Sequence, residues 1–414
     1  MFRPIHIGLS PNTAREDYLV ALKTVCQPWM WKKGITITKV ESWFKDYFHT
    51  ETAVSFNAGR SALLAILNSL ELEKGSEVFM QAFTCVAVPN AVIWTGAHPV
   101  FVDIDSSLNF DVTDALKKVT SKTKAVIVQH TFGVPADMDK IIHFCNKHNL
   151  VLIEDCAHSL GATHKGKLVG TLGDASFFSF GRDKVVSSVF GGMAIINSKF
   201  KIQSSKLKEY QKNLKYPSYF WIFQQLMHPL ISFVVLHTYN FFQSGKIILF
   251  VAQKLRLLSL PVYPQEKRTK QPPDFPKKYP NVLAMLLLVQ LNKLAEFNLH
   301  RKEIAASYFK EIKGAHLHKE SEAIYLRFNL LMKNADQVRF SAKQKGMILG
   351  NWYANLIDPQ GSDGDKLGYV WGSCPKAEKA ARECINLPTY PTLTTTQSKQ
   401  IIQFINNIYA TTSN

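Results

Sequence analysis

VLIEDCAHSLGATHKGKLVGTLGDASFFSFGRDKVVSSVFGG, residues 151–192, decides the fold. It opens on a short apolar run closed by Glu154 and Asp155, passes through a glycine-rich stretch, and enters a second apolar run holding Phe177, Phe178 and Phe180. A charged turn, Arg182-Asp183-Lys184, separates that run from Gly191-Gly192 and the apolar Met193–Ile196. Short apolar runs bounded by glycine read as buried strands. A carboxylate at the end of a buried strand is costly unless it meets a cation or several donors. Asp155 and Lys184 are therefore read together, as two charges delivered to one sheet edge.

Outward from this stretch, residues 36–199 alternate strand-like and helix-like segments. Ala53–Phe56 reads as a strand, Arg60–Leu70 as a helix, Ser76–Gln81 as a strand, and 85–96 as a helix in spite of Pro89. PVFVDID (99–105) and AVIVQH (125–130) are strands, and Asp111–Val119 and Asp137–His148 are helices. This order predicts an α/β fold with a mostly parallel sheet covered by helices on both faces. Ligands of such sheets gather at the carboxyl ends of the strands, where Gly59, His130 and Asp155 fall. The C-terminal part differs. Residues 283–312 keep helical period throughout and predict one long helix, followed by a strand over 325–334, a helix over Ala335–Lys345 and a last helix over Thr394–Tyr409. That makes a smaller α+β domain.

The strand-end residues suggest a chemistry. Gly59-Arg60-Ser61 opens a helix, where free N–H groups and the helix dipole suit a phosphate. Ser179 precedes Lys184 by one short turn. An acid, a lysine, a hydroxyl and an anion-binding helix start are what a pyridoxal phosphate site requires: the lysine bonds to the aldehyde, the acid keeps the ring nitrogen protonated, and the others hold the phosphate. Each residue alone has an ordinary reading, as salt-bridge partner, cap or solvated lysine. Their order and spacing carry the assignment. No G-x-G-x-x-G or P-loop is present. His143 with Cys145 makes a poor metal pair, and no metal is expected. Trp352 and Tyr353 are read as packing aromatics by default, with the wall of a sugar pocket as the alternative.

The same segments resemble the DegT/DnrJ/EryC1/StrS family of aminotransferases. The resemblance runs through FNAGRSALLAIL (56–67), FTCVAVPNAVIWTGAHPVFVDID (83–105), QHTFGVPADMD (129–139), residues 151–184 and CINLPTYPTLT (384–394). It implies the aspartate-aminotransferase-like large domain known as fold type I, a pyridoxal phosphate cofactor, a homodimer, glutamate as amino donor and a nucleotide-linked keto sugar as acceptor, in surface-polysaccharide or amino-sugar biosynthesis. By this resemblance Lys184 is the residue that bonds the cofactor and moves the proton, and Asp155 partners the ring nitrogen. His158 lies beside the ring hydroxyl, and Ser179, Gly59, Arg60 and Ser61 bind the phosphate. Cys85 stands where relatives place a stacking aromatic, so either Phe83 replaces it or the ring is held less tightly, and His130 is read equally as a structural turn or a substrate contact. Where relatives offer a partner-subunit asparagine, the chain reads DFPKKYPNV (274–282); Lys277 and Lys278 are read first as solvated surface lysines, with a phosphate ligand as the alternative. A dehydratase branch that replaces the lysine by histidine is disfavoured by Lys184.

Composition adds one feature that this chemistry does not use. The chain has 414 residues and a net charge of +17, which favours anionic partners. Nucleic acid is not expected, since no recognition motif accompanies the charge. The basic residues gather beside two apolar stretches, 216–242 and 246–263, flanked by Lys206, Lys208, Lys212 and Lys215 before and Lys267, Arg268 and Lys270 after. Polar interruptions such as Gln224, His228, Pro229 and Asn240 argue against a membrane span. Two readings stay open: a hairpin lying on an anionic membrane surface, or a soluble hairpin buried between subunits. A non-catalytic, membrane-associated protein on the same fold is the alternative to an enzyme. Six scattered cysteines and an N-terminus without an apolar signal region predict a cytoplasmic protein, peripheral on the inner face of the membrane if the hairpin docks there. The expected organisation is an N-terminal arm (1–35), the cofactor-binding large domain (36–200), the apolar and basic insertion (201–275), and the long helix with the small C-terminal domain (276–414).

Overall fold

The computed structural model describes residues 4–8, 10–197, 202–239, 241–313 and 322–412. Asn240 and the boundary drawn at residue 200 lie outside them. The central sheet is built from β1 (Thr52–Phe56), β2 (Glu77–Gln81), β3 (His98–Val102), β4 (Thr123–Gln129), β5 (Val151–Asp155), β6 (Ala175–Ser179) and β7 (Gly192–Ile196). Their order across the sheet is β1-β7-β6-β5-β4-β2-β3. Every neighbouring pair is parallel except the two that β7 makes, with β6 and with β1. The α/β class and the mostly parallel sheet expected from the sequence are those observed. β4 and β5 are apolar on both faces because helices cover both, as a parallel sheet requires.

Reversal at β7 brings the chain back to the edge it has just left. Gly192 pairs with Phe56 and with Ser179. A Cβ at Gly192 would sit 2.4 Å from the Ala58 carbonyl oxygen and 2.6 Å from the Gly59 nitrogen. The turn carrying Lys184 is thus clamped against the start of the helix that follows β1.

Around the sheet lie α1 (Arg15–Val25), α2 (Ile35–Phe48) and α3 (Gly59–Ser69), the last buried along almost its whole length. The helix expected over 85–96 is shorter, Ala87–Ile93, because Thr84–Cys85 pairs with Ile357–Asp358. Pro89 lies in its first turn, where a missing N–H costs nothing. The two apolar stretches form an antiparallel hairpin, α4 (Tyr219–Thr238) and α5 (Ser244–Lys254). α4 is long and apolar enough to cross a membrane, yet 56% of that window is buried within the chain. Its inner face carries Trp221, Ile222 and Leu226 into the core shared with α2, and Phe233 meets Tyr18 of α1 edge-on at 4.8 Å.

The long helix expected over 283–312 is broken at Asn292–Lys293 into α6 (Asn281–Leu291) and α7 (Leu294–Glu311), bent by 56°. α6 is buried in the core beneath the large sheet, whereas Ile304, Ala305 and Tyr308 of α7 belong to a separate core under the small domain. One straight helix cannot face both. In that domain β8 (Arg327–Leu331) pairs antiparallel with β9 (Cys384–Pro388), and α8 (Thr395–Thr412) closes the chain.

The clamp at Gly192 is testable. Gly192→Ala forces Cβ into backbone, which cannot yield as a side-chain tip would, and should cost on the order of 2 kcal/mol. Thermal melting of the purified variant checks this: a Tm several degrees below wild type is expected, and an unchanged Tm contradicts the clamp.

Candidate active site

Four chain segments meet at the carboxyl edge of the sheet around a cavity of about 500 Å³. β5 delivers Asp155, β6 delivers Ser179, α3 begins there with Gly59, and the turn after β6 carries Lys184. A Cβ on Gly59 would lie 2.7 Å from Cβ of Ser179. Glycine therefore lets the first turn of α3, with its unpartnered N–H groups, stand directly against the serine hydroxyl. A helix start beside a hydroxyl is an arrangement that suits a phosphate.

Lys184 is held at both ends. Asn12 Nδ2 donates to the Lys184 carbonyl at 2.5 Å and to that of Val185 at 3.1 Å. Arg301, fully buried, donates to the Val185 carbonyl at 2.6 Å and to Asn12 Oδ1 at 3.2 Å. At the other end Nζ lies 3.0 Å from His158 Nε2 and 4.7 Å from the centre of the Trp352 ring. Burial lowers the Lys184 pKa, against the raising pull of Asp183, Cys85 and Asp155. Burial likewise holds His158 well below its ordinary value, reinforced by Lys184. The Phe132 N–H donates to His158 Nδ1 at 3.3 Å, so the proton of the neutral ring sits on Nε2, aimed at Nζ. A neutral amine accepts that bond and an ammonium cannot. Both shifts therefore favour the uncharged pair.

Asp155 shares the cavity. Burial raises its pKa to about 6, partly offset by the Ala157 N–H at 3.0 Å and by Lys184. Among the described residues, no cation forms an ion pair with it. A protonated ring nitrogen would supply the missing donor, so the residues present fit pyridoxal phosphate at both its ring and its phosphate ends.

Other expected site residues have different partners. Ser61 Oγ turns back to Asn57 Oδ1 at 2.9 Å, away from the cavity. Arg60 reaches the cavity wall, but its guanidinium is ion-paired with Glu266 and bonded to the Pro261 carbonyl at 2.7 Å. His130 makes no cavity contact: Nε2 meets Glu154 at 3.1 Å, and Nδ1 accepts the Ala136 N–H at 3.1 Å. Along β4 the preceding residue, Gln129, lines the cavity instead. Glu154 also accepts three backbone N–H bonds, from Gly170, Leu172 and Gly173, which saturate it as a structural carboxylate. Phe83 does not replace the stacking aromatic, for it is fully buried edge-on behind Tyr353 at 5.3 Å, while Cys85 itself lines the cavity. Lys277 and Lys278 do not line it. The Lys277 backbone is tied to Asn57 by two hydrogen bonds, and Lys278 bridges to Phe56.

The aromatic wall comes from the small-domain side. Trp352 stacks on His158 at 5.4 Å, and the Arg327 guanidinium lies 3.3 Å from the centre of the Trp352 ring while pairing with Asp183 at 3.0 Å. Tyr353 places its hydroxyl 3.3 Å from His158 Nε2. Asn355 and Asp358 from the same loop, and Pro261, Val262 and Lys267 from the segment after α5, complete the lining.

The Asp155 shift has a defined sign. Its folded pKa of about 6 exceeds the ordinary 3.8, so the folded chain binds more protons between those values and this group's contribution to stability falls as pH rises through 4 to 6. Asp155→Asn should therefore raise the Tm of the cofactor-free protein at pH 7.5, by on the order of 2 kcal/mol of stability, with the gain shrinking toward pH 5. Melting curves at the two pH values check it. A variant less stable than wild type at pH 7.5 would show that Asp155 is a structural ion instead.

Comparison with known proteins agrees with this geometry. The model of the DegT/DnrJ/EryC1/StrS aminotransferase family matches residues 12–212 and 251–406. GDP-perosamine synthase of Escherichia coli O157:H7 is 29% identical over 392 residues, covering 92% of each chain. The same-named enzyme of Vibrio cholerae is 26% identical over 396 residues, 92% of this chain and 93% of that one. Among solved structures, the putative sugar aminotransferase Spr1654 from Streptococcus pneumoniae in its PMP form superposes with a TM-score of 0.75 at 20% identity, over 99% of this chain and 98% of that one. Helicobacter pylori PseC, an aminotransferase of pseudoaminic acid biosynthesis, gives 0.74 at 18% identity over 99% of each. These two structural likenesses establish the fold, and the family match establishes the kinship: the chain belongs to the DegT/DnrJ/EryC1/StrS aminotransferase family.

Proposed function

We propose that the protein is a pyridoxal-phosphate-dependent sugar aminotransferase that takes its amino group from glutamate and delivers it to a keto sugar carried on a nucleoside diphosphate. The observation that carries this reading is a buried Lys184 amine sharing one cavity with an Asp155 carboxyl that pairs with no cation among the described residues and with the notch between Gly59 and Ser179. When bound, pyridoxal phosphate supplies an aldehyde that carries the amine and a ring that accepts electrons. Ser179 Oγ and the first turn of α3 hold the phosphate; Asp155 holds the ring-nitrogen proton. Lys184 Nζ, whose pKa burial lowers, takes the proton from the donor carbon and returns it one atom away. His158 orients Nζ. Trp352 and Tyr353 exclude water from that path. Relatives that match along most of the chain include two named GDP-perosamine synthase and one named a UDP-N-acetyl-3-dehydro-alpha-D-glucosamine 3-aminotransferase, which supports the acceptor class, and the six unpaired cysteines suit a cytoplasmic enzyme. A homodimer is part of this reading, by family kinship.

The test loads the protein as its pyridoxamine form and follows loss of that form with a panel of keto-sugar nucleotides. Turnover with at least one member is expected, and none with the corresponding hydroxy sugars. Lys184→Ala should slow both half-reactions by at least about a thousandfold. Wild-type rates in that variant, or inertness toward the whole panel, would overturn the reading.

A further inference from the structure

The outer face of the α4–α5 hairpin is unlike the rest of the surface. Among the described residues, 11 of the 21 exposed large hydrophobic side chains fall within residues 219–260, about a tenth of the chain. At the hairpin tip Phe241 and Phe242 are exposed, the latter by 87%. Along α5 and its C-terminal cap Ile247, Phe250, Val251 and Leu255 repeat at helical spacing, and all four are exposed. A soluble helix turns such a stripe inward. Here Gly245 and Ala252 face inward instead, against α4.

Charge says what would cover this face. From residue 210 to 265 the chain carries no aspartate or glutamate but five cations, Lys212, Lys215, Lys246, Lys254 and Arg256. Lys246 and Lys254 are exposed at the two ends of α5, beside the apolar stripe. The family model passes over residues 213–250, which hold α4, the hairpin tip and the first half of α5. A partner protein surface of ordinary composition would meet Lys246, Lys254 and Arg256 of α5 and its C-terminal end without a compensating acid from the hairpin. A bilayer with anionic headgroups meets both halves at once, apolar side chains below and lysines at headgroup level.

We infer that the α4–α5 hairpin docks the protein on an anionic membrane surface, lying on the bilayer with the tip and the outer side of α5 inserted. The inner face of α4 stays in the protein core, so the hairpin does not span. The docked face runs into the active site: Leu260 is exposed, the next residue, Pro261, lines the cavity, and Ser259 binds Arg182 of the lysine turn at 2.5 and 2.7 Å. Docking therefore sets the cavity mouth beside the headgroup layer. This inference goes beyond the transamination chemistry and does not depend on it.

The test is cosedimentation of the full-length protein with phosphatidylcholine vesicles containing about 30% phosphatidylglycerol, and with pure phosphatidylcholine, at about 0.1 M salt. Binding to the anionic vesicles alone is expected. Phe242→Ser with Phe250→Ser, and separately Lys246→Glu with Lys254→Glu, should each weaken it about tenfold. All four positions are exposed and outside the cavity, and if one pair fails to fold the other still decides. Wild-type protein left in the supernatant, or unchanged binding by a folded variant, overturns the inference. So does a change in subunit number by light scattering with vesicle binding intact, which would make the face a contact between copies of the chain.

Discussion

Burial strips the Lys184 ammonium of its hydration and so lowers its pKa, with Asp183, Cys85 and Asp155 pulling the other way. The adjacent carboxylate, Asp183, is turned to Arg327. What remains for Nζ is the His158 N–H, which bonds to an amine and repels an ammonium. Much of the architecture keeps this arrangement in place. Asn12 and Arg301 fix the backbone of the lysine turn from the N-terminal segment and from α7. Gly192 presses β7 onto the Ala58–Gly59 corner, which brings Ser179 against α3. The nucleophilic amine and the anion notch are thus two ends of one packed unit.

Side-chain contacts couple that unit to the small domain and to the α4–α5 hairpin. Arg327, Trp352 and His158 form a stack joining the small domain to the lysine, so movement of that domain is transmitted to the aromatic wall. On the opposite side Arg182 is held by Ser259, and Ser259 in turn donates to Gln225 of α4 at 2.7 Å. Arg60, ion-paired with Glu266, ties the start of α3 to the same segment. The hairpin is therefore wired into the cavity wall by side-chain bonds.

What could be read from the sequence follows from how local each signal is. The strands and the helices between them were legible because period, length and glycine punctuation lie within a few residues. Asp155, Ser179 and Lys184 were legible for the same reason, since consecutive sheet segments bring them to one edge. His130 and Ser61 stand at strand and helix ends as expected, yet their side chains do not line the cavity. Side-chain direction decided against them: alternation along β4 sends Gln129 into the cavity and His130 toward Glu154, and Ser61 caps back onto Asn57. The break between α6 and α7 was hidden because both halves keep helical period, and only the existence of two separate cores requires it. Asn355, Asp358, Arg327 and the Pro261–Lys267 wall carry no local pattern. They arrive from segments distant in the chain, and tertiary packing alone makes them neighbours.

The central claim is that Lys184, among all the lysines, is the covalent anchor for the cofactor. Borohydride reduction of the holoenzyme, followed by proteolysis and mass spectrometry, tests it most directly. The account predicts the reduced cofactor mass on the peptide containing Lys184 and its loss from Lys184→Ala. Label on Lys267, Lys277 or another lysine with Lys184 unmodified would contradict it.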